Sequence, residues 1–375
     1  MTRTAPRILV SASRRRIHYP IRIEPGLLGR AGSLLRASGL SGSVLVVTDR
    51  TVRKLHGARV LASLVRAGFR PRVIVIPSGE RSKTLDRVRA ICEQWTAWGA
   101  DRSMPVLAVG GGVVSDVAGF AAAAYARGLA WFAVPTTVLA QADAAIGGKV
   151  GVNLPGGKNL LGAFHHPRAV FSDPDVLRTL SPRAFRSGLA EIAKIGVVRR
   201  PSLLADLRGF ARAAVVSPRA LTGKQRAGLA ALIRAAAREK AWYVSRDPED
   251  SGIRRELNFG HTVGHALEAS MGYGRILHGE AVSIGMVAAL RLSVRVAGLN
   301  PAKALEVEDL LRALGLPVRL RRRPGKDFWR ALARDKKRGR TGARMVLSPA
   351  IGVAKTYTLP SLTSLRVVIE GLVQP

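Results

Sequence analysis

Three short apolar runs punctuate the first third of the chain: Val44-Leu45-Val46-Val47, Val73-Ile74-Val75-Ile76 and Pro105-Val106-Leu107-Ala108-Val109. Each ends in turn formers and is followed by a helical pattern. Thr48-Asp49 closes the first. Pro77-Ser78-Gly79-Glu80 closes the second, ahead of a helix predicted from about Ser82 to Gly99. Gly110-Gly111-Gly112 closes the third, ahead of a helix predicted to begin near Asp116. Strands alternating with helices at this spacing predict a parallel sheet with both faces covered, the architecture of an α/β nucleotide-binding half. Ile17, Tyr19, Ile21 and Ile23 alternate as a strand would, so the arginine-rich amino terminus reads as mature structure rather than a transit peptide.

The pattern changes after Asp173. Helix formers dominate Leu203 to Val215, Thr222 to Val244 and Ala302 to Leu314, and Pro174 and Pro182 bracket a predicted hinge. These features predict two domains, an α/β domain over residues 1–179 and a mostly helical one over 180–375. Ser187 to Lys194 is helical in pattern and sets Glu191 and Lys194 close to one face.

Charge narrows the partners. The chain carries 60 Lys and Arg against 25 Asp and Glu, a formal net charge of +35, which favours phosphate-bearing partners. The excess is spread widely and aromatic residues are 5% of the chain, so no basic-aromatic platform for nucleic acid stands out. Cys92 is the one cysteine, which excludes an intrachain disulfide and a cysteine-based zinc site and fits a reducing cytoplasm. The most apolar region, Met104 to Gly148, is interrupted by Asp116, Arg127 and Asp143, so no membrane helix is expected.

Three stretches carry candidate chemistry. At Gly110 to Gly112, bare backbone between a strand and a helix lets a pyrophosphate approach the helix amino terminus, although the motif is not G-x-G-x-x-G. From Gly147 to Phe164, Lys149, Asn153, Lys158 and Asn159 are spaced by glycines with no acid among them, which predicts a loop presenting cations and amides to phosphate or carboxylate. From Asn258 to Met286, three of the seven histidines cluster. His261 and His265 are four apart, so spacing alone puts that pair on one helix face. Two histidines and the carboxylate of Glu191 would complete a zinc-type site with an open position.

Taken together, the motifs resemble the 3-dehydroquinate synthase family from end to end. They are G-G-G-V-x-x-D at Gly110 to Asp116, P-T-T at Pro135 to Thr137, G-G-K-x-G-V-N from Gly147, G-K-N at Gly157 to Asn159, G-L-A-E-x-x-K at Gly188 to Lys194, L-N-F-G-H-T-x-G-H from Leu257 and L-H-G-E-A-V from Leu277. The resemblance implies a Rossmann-like NAD-binding domain followed by a mostly α-helical metal and substrate domain. The implied enzyme takes a seven-carbon sugar acid phosphate through transient oxidation by NAD, phosphate elimination, reduction and ring closure, acting as a cytoplasmic homodimer without nucleic acid or membrane partners. The nearest alternative it leaves is a sibling sugar-phosphate cyclase acting on sedoheptulose 7-phosphate, which lacks the carboxylate.

Site residues follow from the same resemblance. The implied divalent metal, zinc or cobalt, is held by Glu191, His261 and His278, not by the His261 and His265 pair that spacing suggests. NAD is assigned to Asp49, Thr51, Glu80, Lys83, Gly111, Gly112, Val113, Asp116, Thr136, Thr137, Lys158 and Thr179. Substrate is assigned to Arg127, Asp143, Lys149, Asn159, Lys194, Lys240, Arg254, Asn258 and a lysine of the Lys336-Lys337 pair, with the planar fork of Arg254 suited to the carboxylate. The implied catalytic groups are Lys149, Asp250, His265, Arg254 and Asn258, His265 serving as the proton-shuttling partner that faces substrate. Two positions depart from the family pattern: Ser115 replaces a glycine, which is expected to crowd the pyrophosphate turn, and Asp250 replaces a glutamate.

Overall fold

The structure, a computed structural model, describes residues 17–155, 157–215, 217–272, 274–336, 343–359 and 361–374, without the side chains at 214, 334–336 and 343. Its first eight strands are β1 (Ile21–Ile23), β2 (Gly42–Asp49), β3 (Phe69–Ile76), β4 (Val106–Gly110), β5 (Trp131–Pro135), β6 (Lys149–Leu154), β7 (Gly157–Phe164) and β8 (Ala169–Ser172). All but β6 and β7 form one parallel sheet in the order β1-β8-β5-β4-β2-β3. Connecting helices are α1 (Ala31–Ala37), α2 (Arg50–Arg66), α3 (Leu85–Ala97) and α4 (Gly112–Ala124).

Both sheet faces are buried, which is why the central strands read as unbroken apolar runs. Leu45, Val47, Val106 and Ala108 pack into one core with residues of α3 and α4, such as Ile91, Trp95 and Val117. Val44, Val46, Leu107 and Val109 face a second core that runs without interruption into the helical half, through Phe185, Leu189 and Met286. That half comprises α5 (Pro182–Val198), α6 (Ser202–Ala214), α7 (Gly223–Arg246), α8 (His261–Met271), α9 (His278–Val296), α10 (Pro301–Ala313), α11 (Lys326–Lys336), the antiparallel pair β9 (Ala343–Ala350) and β10 (Val353–Leu359), and α12 (Thr363–Glu370). No helix among the described residues is long and apolar enough to cross a membrane.

Local structure departs from the sequence reading in three places. The alternation over residues 17–23 yields a strand only at Ile21–Ile23, and residues 1–16 lie outside the described residues. Helix α4 begins at Gly112, one turn before Asp116. The stretch read as a loop is the antiparallel hairpin β6 and β7. Gly151 and Gly162 pair across it, and a Cβ on Gly151 would stand 2.6 Å from the Leu161 carbonyl oxygen. Glycine here permits close strand approach rather than irregularity.

Candidate active site

The carboxyl ends of β2, β3, β4, β5 and β8 converge on one edge of the sheet, the usual ligand side of an open parallel sheet. A cavity of about 760 Å³ opens there, between that edge and the amino-terminal ends of α5 and α9. All twelve residues assigned to the cofactor line it, and His265, Glu268 and His278 line its far wall. Asp49 caps α2 by accepting from Val52 N at 3.0 Å and takes a hydrogen bond from Ser78 Oγ at 2.8 Å on the same oxygen, which leaves its other oxygen to the cleft. Gly111 and Gly112 open α4 with its unpaired N–H groups toward the cavity, where an anion is favoured. Ser115 does not line the cavity; it is buried inside α4, so it does not crowd this turn.

The hairpin closes the floor. Asn153 N donates to the Lys83 carbonyl at 2.9 Å and Asn153 Nδ2 to Glu80 at 2.9 Å. Lys83 is paired with Asp116 and with Asn159 Oδ1. Asn159 has φ of 53°, a left-handed conformation that asparagine tolerates better than most residues. Lys158 reaches Glu268 at 2.9 Å and Glu80 at 3.5 Å; burial opposes its charge, but the two carboxylates outweigh burial and raise its pKa.

Three helices meet at the far wall because glycines let them. A Cβ on Gly279 would lie 1.7 Å from Ser187 O on α5, and one on Gly285 2.0 Å from Gly260 O, so α9 packs directly on α5 and α8. Glu191 on α5 therefore faces two imidazoles. Its Oε1 stands 3.4 Å from His278 Nε2 and 3.8 Å from His261 Nε2, and it is buried with no hydrogen-bond partner. An unpartnered buried carboxylate oxygen facing two ring nitrogens fits a divalent cation. The outer nitrogens are already held: His261 Nδ1 is 3.2 Å from Phe259 O and His278 Nδ1 is 3.3 Å from Glu268 Oε2, contacts that turn each Nε2 toward Glu191.

Burial works against protonating His278, but the adjacent carboxylates of Glu191 and Glu268 prevail and raise its pKa to about 9. Burial and the neighbouring charge of His278 lower the pKa of His265 to about 4, so that ring is neutral at pH 7. His265 stands ring to ring with both other histidines, at 5.2 Å from His261 and 6.1 Å from His278. Among the described residues, His265, Glu268 and His278 form a second group close enough to hold an ion. In it, however, both Glu268 oxygens already have partners, Lys158 and His278.

Beside Glu191 lies a buried charge cluster. Lys194 pairs with Glu191 and stands 4.0 Å from Asp143, which accepts from Lys240 at 2.7 Å. Lys194, Lys240 and Arg254 are each no more than 7% exposed. Burial, then the charges of Lys194 and Arg254, lower the Lys240 pKa to about 8 against the pull of Asp143. The Arg254 fork is not free as expected: Nη1 donates to Pro248 O at 2.9 Å and Nη2 to Gly147 O at 3.0 Å. Its buried Nε has no partner, and each Nη retains one hydrogen. Asp247 holds this turn by accepting from the backbone of Ser251, Gly252 and Arg254. Asp250, with φ of 54°, pairs with Lys149.

Not every assigned residue arrives here. Asn258 is exposed at the turn before α8. Arg127 is exposed in a left-handed turn, φ 61°, between α4 and β5, at the end of α4 away from the cavity, with no hydrogen bond or ion pair among the described residues. The Lys336 side chain and all of Lys337 lie outside the described residues. Glu268 was missed. Its signal was present, three positions after His265 and seven after His261 on the same face of α8.

Comparison with known proteins agrees across the chain. Profiles described as 3-dehydroquinate synthase N-terminal and C-terminal match residues 73–187 and 188–338. A 3-dehydroquinate synthase of Geobacter sp. (strain M21) is 41% identical over 355 residues, 94% of each chain. One from Methylococcus capsulatus (strain Bath) is 42% identical over 353 residues, 94% of this chain and 96% of that one. Among solved structures, 2-epi-5-epi-valiolone synthase from Streptomyces hygroscopicus subsp. jinggangensis 5008, with NAD+ and Zn2+ bound, superposes with a TM-score of 0.88 at 31% identity, covering 97% of this chain and 99% of that one. A 2-deoxy-scyllo-inosose synthase holding carbaglucose-6-phosphate, NAD+ and Co2+ gives 0.81 at 27% identity, over 94% and 96%. With both profiles meeting between α5 residues Ser187 and Gly188 and full-length relatives above 40% identity, the chain belongs to the 3-dehydroquinate synthase family.

Proposed function

We propose that this protein is a 3-dehydroquinate synthase, a phosphate lyase that converts 3-deoxy-D-arabino-heptulosonate 7-phosphate to 3-dehydroquinate and phosphate in the shikimate route to aromatic amino acids. The reaction passes through transient NAD-dependent oxidation, phosphate elimination, reduction and intramolecular aldol closure. The observation that carries the reading is the unpartnered Glu191 Oε1 facing His261 Nε2 and His278 Nε2 at the end of a cavity lined by all twelve cofactor candidates.

Glu191, His261 and His278 would hold a zinc or cobalt ion, and the twelve cavity residues would hold NAD. When bound, the ion supplies Lewis acidity toward a substrate hydroxyl and the dinucleotide a reversible hydride acceptor. The chain's own groups position charge. Lys194, Lys240, Lys149 and Arg254 face the phosphate, carboxylate and developing enolate, while Asp143 holds Lys240 and stands near Lys194, which is itself paired with Glu191. Neutral His265 stands between the metal ligands and the cleft, where it accepts and returns a proton. Asp250, paired with Lys149, orients that lysine. Asn159 and Asn258 are assigned to substrate as well, and one of Lys336 and Lys337 completes the set.

The division into a cofactor domain over 1–179 and a metal and substrate domain over 180–375, a homodimeric assembly, a cytoplasmic setting and the lack of a nucleic-acid partner belong to the same proposal. Exposed Arg127 then serves substrate only if another part of the assembly brings it there.

Release of inorganic phosphate from the heptulosonate phosphate, and from sedoheptulose 7-phosphate, each with and without chelator, tests the reading. Chelator-sensitive turnover of the carboxylate-bearing sugar is expected. Turnover of sedoheptulose 7-phosphate alone would assign the chain to the sibling cyclases, with whose fold it superposes closely.

A further inference from the structure

Arg183, Ser187 and Glu191 follow one another at four-residue spacing along one face of α5. All three meet the first turn of α9, in reverse order. Glu191 Oε1 stands 3.4 Å from His278 Nε2, Ser187 Oγ accepts from Gly279 N at 3.0 Å, and the Arg183 fork closes on Glu280, Nε to Oε1 at 2.6 Å and Nη2 to Oε2 at 2.7 Å. Arg183 Nη2 also donates to Arg275 O at 2.9 Å. One guanidinium therefore grips the chain on both sides of His278. Glu280, the glutamate of the L-H-G-E-A-V motif, has no part in the chemistry described above.

The grip falls where the backbone is least constrained. His278 is the first residue of α9, and the first turn of a helix has no intrahelical partners for its N–H groups. The segment leading into it turns through Gly272 and Gly274 at φ of 82° and 89°, positions whose freedom only glycine allows. Glu280 Oε2 caps this turn by accepting from Leu277 N at 2.8 Å, and Arg183 fixes the capping carboxylate. The Arg183 side chain is 50% exposed, so the ion pair adds little to folding itself. Its effect lies in where the turn sits, because a ligand already in place loses less freedom when its ion binds.

We propose that Arg183 is a positioning residue for the metal site: by clamping Glu280 and the Arg275 carbonyl, it sets the start of α9 in the register that presents His278 Nε2 to Glu191. The inference rests on the zinc or cobalt reading above.

The test is the affinity of the full-length, metal-stripped protein for zinc and cobalt, measured against a competing chelator. Arg183→Met should weaken binding by about tenfold, the lower range for a group that orients a ligand from outside the coordination sphere. The sign is diagnostic, since loss of a nearby positive charge would by itself strengthen cation binding. The unfolding midpoint of the stripped variant should stay within about 4 °C of wild type. Arg183→Lys, which keeps the charge and loses the fork, should remain weaker than wild type by about threefold or more. Arg183→Met should cost less than about threefold further when introduced into Glu280→Gln, because both changes open one clamp. Wild-type affinity in either Arg183 variant, or a loss repeated in full in the Glu280→Gln background, would overturn the proposal. Weakening accompanied by a midpoint lowered by more than about 4 °C would overturn it too, in favour of a general role in folding. Failure of wild type to bind either metal would overturn the metal reading as well. Should Arg183→Met not fold, Arg183→Lys decides.

Discussion

The two walls of the cavity are built on opposite principles. The cofactor wall is built largely of local pieces. Strand ends, helix caps and glycine turns each form within a few positions, and the 149–164 hairpin ties them together through already paired side chains at Glu80, Lys83 and Lys158. The metal and substrate wall is assembled from α5, α7, α8, α9 and the turns at 140–147 and 247–254, and it stores charge in a buried interior. Backbone sites tolerate side-chain change, whereas a buried charge network loses much when one member goes. Substitutions should therefore act weakly on the first wall and strongly on the second.

Glu191→Gln should have the largest effect. It keeps the hydrogen-bonding shape toward Lys194 but removes the anion facing both imidazoles, and phosphate release should fall by at least about 10³-fold with loss of bound metal. Equal metal content in variant and wild type would break the contrast between the walls.

Lys240 comes next. Lys240→Met should lower kcat/KM by about 10² to 10³-fold, the usual loss for one preorganised charge. The pH dependence carries a sign. Lys240 is charged below its pKa of about 8, so kcat/KM should fall as pH rises through that value. Lys240→Arg, charged throughout, should move the fall to higher pH. The same group costs stability where it is forced to stay charged. Its folded pKa lies below the ordinary 10.5, so its contribution to stability should improve as pH rises from about 8 to 10.5.

Glu268 joins the walls, since it touches His278 on one side and Lys158 on the other. Glu268→Gln should weaken metal affinity by about 10 to 100-fold in a chelator competition, the range for a partner that orients a ligand. Its hydrogen bonds to His278, with help from Lys158, overcome burial and hold its pKa at about 2. That stabilisation is present above the ordinary value of 4.5 and lost as pH falls toward 2, so acid unfolding of Glu268→Gln should be less steep across that window.

Asp250→Glu should be the mildest. Reaching for Lys149 needs one methylene less or more, and kcat should change within about threefold. At φ of 54°, glutamate is less comfortable than aspartate, and unfolding free energy should drop by up to about 1 kcal/mol.

The same division explains what could be read before any coordinates. Strands β2, β3 and β4 were legible because fully covered parallel strands leave continuous apolar runs, and the cofactor turns were legible because each follows its strand directly. Spacing misled where distance along the chain and distance in space part company. His261 and His265 do share a helix face, yet the nitrogen opposite Glu191 beside His261 comes from His278 on the next helix. The hairpin over 149–164 hid because paired glycines look like a loop. Arg254 looked like an open fork because its carbonyl partners at Gly147 and Pro248 carry no side-chain signature. Glu268 was in plain periodic view and went unread because its partner Lys158 lies 110 residues away.

Anomalous diffraction at the zinc or cobalt edge from metal-loaded crystals addresses the central claim most directly. A single peak about 2.0 to 2.2 Å from Glu191 Oε1, His261 Nε2 and His278 Nε2 is the predicted result. A peak centred instead among His265, Glu268 and His278, or no peak in protein that releases phosphate, would contradict it.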